Sequence, residues 1–212
     1  MELIYKELCL LKAQLKQSFI LVLLIIAGTF YFNYKGLPAS YMTFNFPFMI
    51  SMVLAVQFIS ASIMVEKKNK TFEKMLTIYK MDNIIFSKVA LYSILAFSVS
   101  AIYSIVARIV YYQKGVYQLD MKLCVLEMII LAVSVLLMCS TFAVVYIFCN
   151  NQSIISIASI GITVCVAILG SVLQTGEVDM IYFILGIVGA LAISIAELKV
   201  LCAVNKDFIM KD

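Results

Sequence analysis

The segment that decides the fold spans residues 128–176 and reads MIILAVSVLLMCSTFAVVYIFCNNQSIISIASIGITVCVAILGSVLQTG. It contains no charged residue. As one helix it would extend about 70 Å, whereas a bilayer core is about 30 Å thick and needs roughly 20 apolar residues per crossing. The segment therefore predicts two membrane-spanning helices, and its one polar cluster, residues 149–153, predicts the turn between them.

The rest of the chain is also rich in apolar residues. Hydrophobic residues make up 64% of the sequence and charged residues 13%, more apolar surface than a soluble domain of 212 residues can bury. The alternating polarity of barrel strands is absent, so we expect an all-α integral membrane protein with one domain. Six transmembrane helices are predicted, at residues 17–34, 42–65, 86–112, 122–149, 153–173 and 180–203.

The distribution of lysines predicts the orientation. Six lysines lie in the 66–88 loop, three in the first sixteen residues and three in the segment after residue 198. The opposite side has only Lys35, Lys114 and Lys122. Because cytoplasmic loops carry the excess of positive charge, we expect both termini and the 66–88 loop to be cytoplasmic.

The N-terminal segment has an amphipathic pattern. Ile4, Leu8, Leu11 and Leu15 recur at helical spacing, and lysines lie elsewhere. The pattern favours a helix that lies in the membrane interface, and the alternative is a helix that continues the first span into the cytoplasm.

The inventory of residues argues against an enzyme. The chain has no histidine, no phosphate-binding G-x-x-x-x-G-K-[ST] motif and no C-x-x-C pair among its six cysteines. We therefore expect no catalytic residue, no metal site and no cofactor bound by this chain. A membrane-embedded enzyme remains the least favoured class, because no convergent acid, base and nucleophile are evident.

Arg108 and Glu127 are ionisable residues inside predicted spans. Each lies four or five residues from the connection between the third and fourth spans, so a hairpin would place them at similar depth. Charged groups in lipid usually pair or face a cavity. We expect an intramembrane Arg108–Glu127 pair, which either staples the hairpin or lines an outer vestibule.

The loop between the second and third spans reads EKKNKTFEKMLTIYKMDNIIFSK at residues 66–88. Apolar residues at 72, 75, 76 and 79 repeat at helical spacing, which predicts a short amphipathic helix from Thr71 to Tyr79. Thr71 is expected to cap it, and Asp82 or Asn83 to cap the helix that re-enters the membrane. We expect the apolar stripe to face the cytosol.

This loop resembles the cytoplasmic signature of ABC-2-type transporter permeases, roughly E-[RK]-x-x-G-T-x-E-x-L-L…P…K. The motif itself covers about 23 residues. Over the whole chain, the number of spans, the interfacial N-terminal helix, the cytoplasmic termini and the size agree with a minimal member of the family. Lys70 stands where the family usually has glycine, and no proline follows Leu76. The resemblance assigns ATPase coupling to Glu66, Lys67, Thr71, Phe72, Glu73, Met75, Leu76, Tyr79 and Lys88.

The resemblance also implies partners. In that family the loop carries a coupling helix that docks on a separate ATP-binding subunit, and two permeases, identical or different, associate with two ATPases. ATP and Mg would be bound by the partner, and the complex would lie in the bacterial plasma membrane. Membrane lipid is a further expected partner, and nucleic acid is not.

The implied function is export of a hydrophobic or amphipathic substrate, such as a peptide or a drug-like molecule. One alternative is a haem-exporter-like permease of cytochrome maturation, which the lack of histidine and tryptophan disfavours. Another is a non-transporting immunity factor, sensor or scaffold whose basic loop binds lipid, where each lysine would contribute about 1 kcal/mol of attraction.

Overall fold

The computed structural model describes residues 4–7, 9, 27, 43, 46–115, 121–148 and 180–203. Five helices are assigned in this part of the chain, and it contains no strand. They are α1 (Phe46–Lys68), α2 (Thr71–Ile78), α3 (Met81–Gln113), α4 (Met121–Phe148) and α5 (Met180–Ala203). Residues 4–7 are also helical. The all-α prediction is therefore confirmed.

Three helices are long and apolar enough to cross a membrane: α1, α3 and the Cys124–Phe148 part of α4. They give the chain the character of a membrane protein. The predicted spans at 42–65, 86–112, 122–149 and 180–203 coincide with α1, α3, α4 and α5. The spans at 17–34 and 153–173 and the turn at 149–153 lie outside the described residues, apart from residue 27, so the count of six stays a prediction.

The local sequence explains where several helices begin and end. Pro47 lies in the first turn of α1, where its missing N–H group costs no helical hydrogen bond. Lys67 and Lys68 occupy the last turn, where positive charge interacts favourably with the helix dipole. At the end of α3, Gly115 has φ 69°, a left-handed conformation that glycine adopts without strain.

Helix α1 is the most buried of the three candidate spans, and it packs against α3 and α4. Helix α5 packs on α4 and, less extensively, on α3. One face of α3 is left exposed, with large apolar side chains such as Ile94, Ile102 and Val106, as expected for contact with lipid. The short helix α2 packs against α1 at one end of the bundle, which we call the α2 end. The opposite end, with the C-terminus of α3, is the Arg108 end.

Candidate functional site

A cluster of buried charges lies at the α2 end. Its centre is Lys88 of α3, only 2% exposed. The Lys88 Nζ atom lies 2.5 Å from Oε1 of Glu7, 2.9 Å from Oε2 of Glu66 and 2.5 Å from Oγ of Ser62. Lys88 donates hydrogen bonds to Glu7 and Ser62, and Glu66 Oε2 lies within ion-pair distance. Lys88 thereby links the N-terminal segment, α1 and α3.

Both carboxylates have further partners. Tyr92 donates its hydroxyl proton to Oε2 of Glu7 over 2.6 Å, and Ser62 donates to the same oxygen over 3.0 Å. Lys6 donates to Oε1 of Glu66 over 2.8 Å. Two lysines and two glutamates thus balance each other. Lys88, Glu7 and Glu66 are buried whereas Lys6 is half-buried, and pairing makes the burial of the three tolerable, since an isolated buried charge is very costly.

Helix α2 is attached to this cluster. Lys6 also contacts the sulfur atom of Met75, and the Thr71 hydroxyl donates to the backbone carbonyl of Glu66 over 3.2 Å. Phe72, Met75 and Leu76 are buried in the hydrophobic core of the bundle. Our expectation that this stripe faces the cytosol is therefore wrong for these three residues. The bundle itself supplies the apolar partner that the stripe requires.

The other residues of the 66–88 motif lie around α2. Lys67 donates to the backbone carbonyl of Ile147 over 2.7 Å, near the C-terminus of α4, where a cation is favourable. Glu73 is half-buried in the first turn of α2, where a negative charge is favourable. Tyr79 is half-buried against the core. The structure thus brings Glu66, Lys88 and the buried face of α2 together.

The caps of α2 and α3 differ from the sequence prediction. The N-cap of α2 is Lys70, with φ 54°, and that of α3 is Lys80, and neither forms a side-chain capping bond. Thr71 lies inside α2, with its hydroxyl bonded back to α1, and Asp82 lies in the first turn of α3. The chain therefore enters α2 through a left-handed residue instead of a hydroxyl cap.

At the Arg108 end, Arg108 and Glu127 form an ion pair between α3 and α4. The Arg108 Nε atom donates to Ser104 over 3.2 Å, and Nη1 contacts Cys124 over 2.7 Å. Ser104 in turn donates to the carbonyl of Thr43 over 2.8 Å. The pair therefore joins α3 and α4 to the segment that precedes α1.

An apolar groove of about 680 Å³ lies between α3 and α4 beside this pair. Arg108 and Cys124 belong to its lining. The other lining side chains are apolar and come from both helices: Phe97, Ala101, Ile105, Ile109, Val125, Met128, Ile129 and Ala132. The size is within the usual range of ligand sites, about 300–1,000 Å³.

Two functional candidates were missed from the sequence. Glu7 belongs to a short mixed-charge segment, and nothing in that segment distinguishes it from its neighbours. Glu197 of α5 had a usable signal, because it is an ionisable residue inside a predicted span, as Arg108 and Glu127 are. In the structure Glu197 contacts the hydroxyl groups of Ser140 and Thr141 on α4.

No protein-family model, no curated protein sequence and no solved structure matches this chain. The described residues thus define a helical membrane protein with an ion-paired cluster at each end of its bundle and a short helix fixed to one of them.

Proposed function

We propose that the chain is the six-span permease subunit of an ABC-2-type exporter, driven by a separate ATPase. The observation that carries the proposal is the attachment of α2. This helix is joined by short connections to α1 and α3, is anchored in the core by Phe72 and Leu76, and lies beside the buried pair of Glu66 and Lys88. A push on α2 would reach both spans, which a flexible loop could not achieve.

Two further observations support the resemblance to the family signature. Its first and last motif residues, Glu66 and Lys88, lie far apart in sequence but form one ion pair. Lys70, at the position where the family usually has glycine, adopts the left-handed conformation that favours glycine. The backbone of this chain therefore has the shape that the family's glycine would allow, although the side chain differs.

The roles of the motif residues change with this geometry. Phe72, Met75 and Leu76 anchor α2 to the bundle, and Glu66 and Lys88 fix the two spans at its base. The partner would contact the outer face, where Lys70, Lys74 and Ile78 recur at intervals of four residues. All three are exposed, Ile78 to 73%. An ATPase groove with acidic residues around an apolar pocket would match this face.

In this account, two ATPase subunits bind ATP and Mg and contact two permeases in the bacterial plasma membrane. Both termini and α2 lie on the cytoplasmic side. The apolar groove between α3 and α4 supports a hydrophobic cargo or the apolar part of an amphipathic one, because its lining offers apolar contact.

Co-purification tests the proposal. The chain is co-expressed with the ABC ATPase that we expect an adjacent reading frame to encode, and Lys74→Glu and Ile78→Asp are introduced separately. Both side chains are exposed, so the fold should be retained. We expect each variant to lose the ATPase. The matched control is Gln113→Glu, an exposed position at the opposite end of the bundle.

Retention of the ATPase by both α2 variants would contradict the proposed docking face, and absence of such an ATPase gene would contradict the function. A different result would favour the non-transporting scaffold. In that case the purified chain binds anionic vesicles without an ATPase, and the Lys74→Glu variant does not.

A further inference from the structure

Glu197 differs in its partners from the three carboxylates that form ion pairs inside the bundle. Glu7, Glu66 and Glu127 each contact a lysine or arginine. Within the described residues Glu197 forms no ion pair, and its contacts are two hydroxyl groups of the neighbouring helix. Its Oε2 atom lies 2.5 Å from Oγ of Ser140, and Oε1 lies 2.8 Å from Oγ1 of Thr141.

Each of these hydroxyl groups has a second acceptor within reach. The backbone carbonyl of Leu137 lies 2.9 Å from Ser140 Oγ and 2.8 Å from Thr141 Oγ1. A hydroxyl group has one proton and two lone pairs. When its proton points to Leu137, as is common for serine and threonine in helices, the lone pairs can face Glu197. Each hydroxyl can thus stop donating to Glu197 and offer a lone pair to a cation, while it keeps its hydrogen bond to Leu137.

We propose that Glu197, Ser140 and Thr141 form a binding site for a small monovalent cation, with Na⁺ as the best match. Two carboxylate and two hydroxyl oxygens would coordinate the ion, and water would complete its shell. Such oxygen ligands suit hard cations. The cation would supply the positive charge that a carboxylate inside a membrane helix requires.

The charge of the site selects among cations. One carboxylate balances one positive charge, whereas a divalent ion would leave a net charge inside the bundle. In the described residues no group of three or more Cys, Asp or Glu side chains could hold a metal ion, which also disfavours Ca²⁺. Na⁺ is favoured over the larger K⁺ because a smaller ion approaches the oxygens more closely and is attracted more strongly.

The site lies on the contact between α4 and α5. Glu197 is six residues before the end of α5, and Thr141 is seven residues before the end of α4, so both lie about 10 Å from the α2 end of the bundle. A bound cation would therefore hold the two helices together. This inference does not depend on the ATPase or on the cargo.

Thermal unfolding of the purified chain in detergent tests the site. The Tm is measured in NaCl, KCl and choline chloride at equal ionic strength. We expect saturating Na⁺ to raise the Tm on the order of 5 °C above the value in choline. Glu197→Gln and Ser140→Ala should remove this difference. Ser100→Ala should keep it, because the buried Ser100 hydroxyl donates only to a carbonyl of its own helix.

Equilibrium binding of radioactive Na⁺ to the unmodified chain gives a second measurement that does not require a folded variant. About one bound ion per chain, displaced by Li⁺ more readily than by K⁺, is expected. Equal Tm values in the three salts, a Na⁺ effect that persists in Glu197→Gln, or absence of bound Na⁺ would overturn the proposal.

Discussion

Glu66 of α1 and Lys88 of α3 form a buried ion pair of 2.9 Å, and the short helix α2 lies in the chain between them. Glu7 and Ser62 occupy the remaining positions around the Lys88 ammonium group. The two membrane helices that flank α2 are therefore fixed to each other at its base. Any force that a partner applies to α2 would act on this joint.

Loss of the central ammonium group should destabilise the bundle. Lys88→Met leaves Glu7 and Glu66 buried without their shared cation, and breaking a buried pair in this way costs about 3–5 kcal/mol. We expect a matching fall in the free energy of unfolding, measured by denaturant titration in mixed micelles. Lys80→Met is the control, because Lys80 is exposed and makes no capping bond, and its effect should stay within about 0.5 kcal/mol. Equal effects of the two variants would argue against the cluster.

Truncation of the α2 side chains distinguishes its inner face from its outer face. Phe72→Ala and Leu76→Ala remove side chains with 1% and 0% exposure and should each cost about 2–5 kcal/mol of stability. Ile78→Ala removes an exposed side chain and should change stability by less than about 0.5 kcal/mol. The same unfolding measurement applies. Near-neutral effects at 72 and 76 would show that α2 does not pack into the bundle.

The left-handed backbone at Lys70 predicts a substitution that stabilises the protein. This conformation costs about 1–2 kcal/mol for an L-residue, and glycine avoids that cost but loses about 0.4–1 kcal/mol through its more flexible unfolded chain. Lys70→Gly should therefore stabilise the protein by about 0.5–1 kcal/mol. Lys74→Gly, inside α2, should instead destabilise it by about 1 kcal/mol. If both glycines lowered the Tm, the left-handed conformation at residue 70 would be contradicted.

Charge exchange tests the pair at the Arg108 end. Arg108→Glu places two carboxylates side by side near the end of the hairpin, and Glu127→Arg places two guanidinium groups there. We expect each single variant to lose several kcal/mol of stability, and the double exchange to recover much of the loss. If the double variant is no more stable than the more stable of the two single variants, Arg108 and Glu127 do not stabilise the protein as a pair. Gln113→Glu adds a charge at the same end without touching the pair.

The features that depend on local sequence patterns could be predicted from the sequence. Hydropathy and length placed the helices at 46–68, 81–113, 121–148 and 180–203 to within a few residues, since the bilayer imposes these properties directly. The meeting of Arg108 and Glu127 could also be foreseen, because a hairpin brings residues near its turn together. The helical period predicted α2 itself.

Other features depend on contacts that no local pattern contains. The pattern of α2 shows that one face is apolar, but it cannot tell whether that face meets its own bundle or a partner. Glu7 pairs with a lysine 81 residues away, and its neighbours give no hint of this. Glu197 is a different case, since its position inside a predicted span was a sufficient signal.

We propose that α2 contacts a cytosolic ATPase with its Ile78 side, whereas its Met75 side is held in the bundle. Crosslinking tests this arrangement. All six native cysteines are replaced, a single cysteine is introduced at position 78 or 75, and a thiol-specific crosslinker is added to the complex with the co-expressed ATPase. We expect a crosslink to the ATPase from position 78 and none from position 75. A crosslink from position 75 alone, or from neither position, would contradict it.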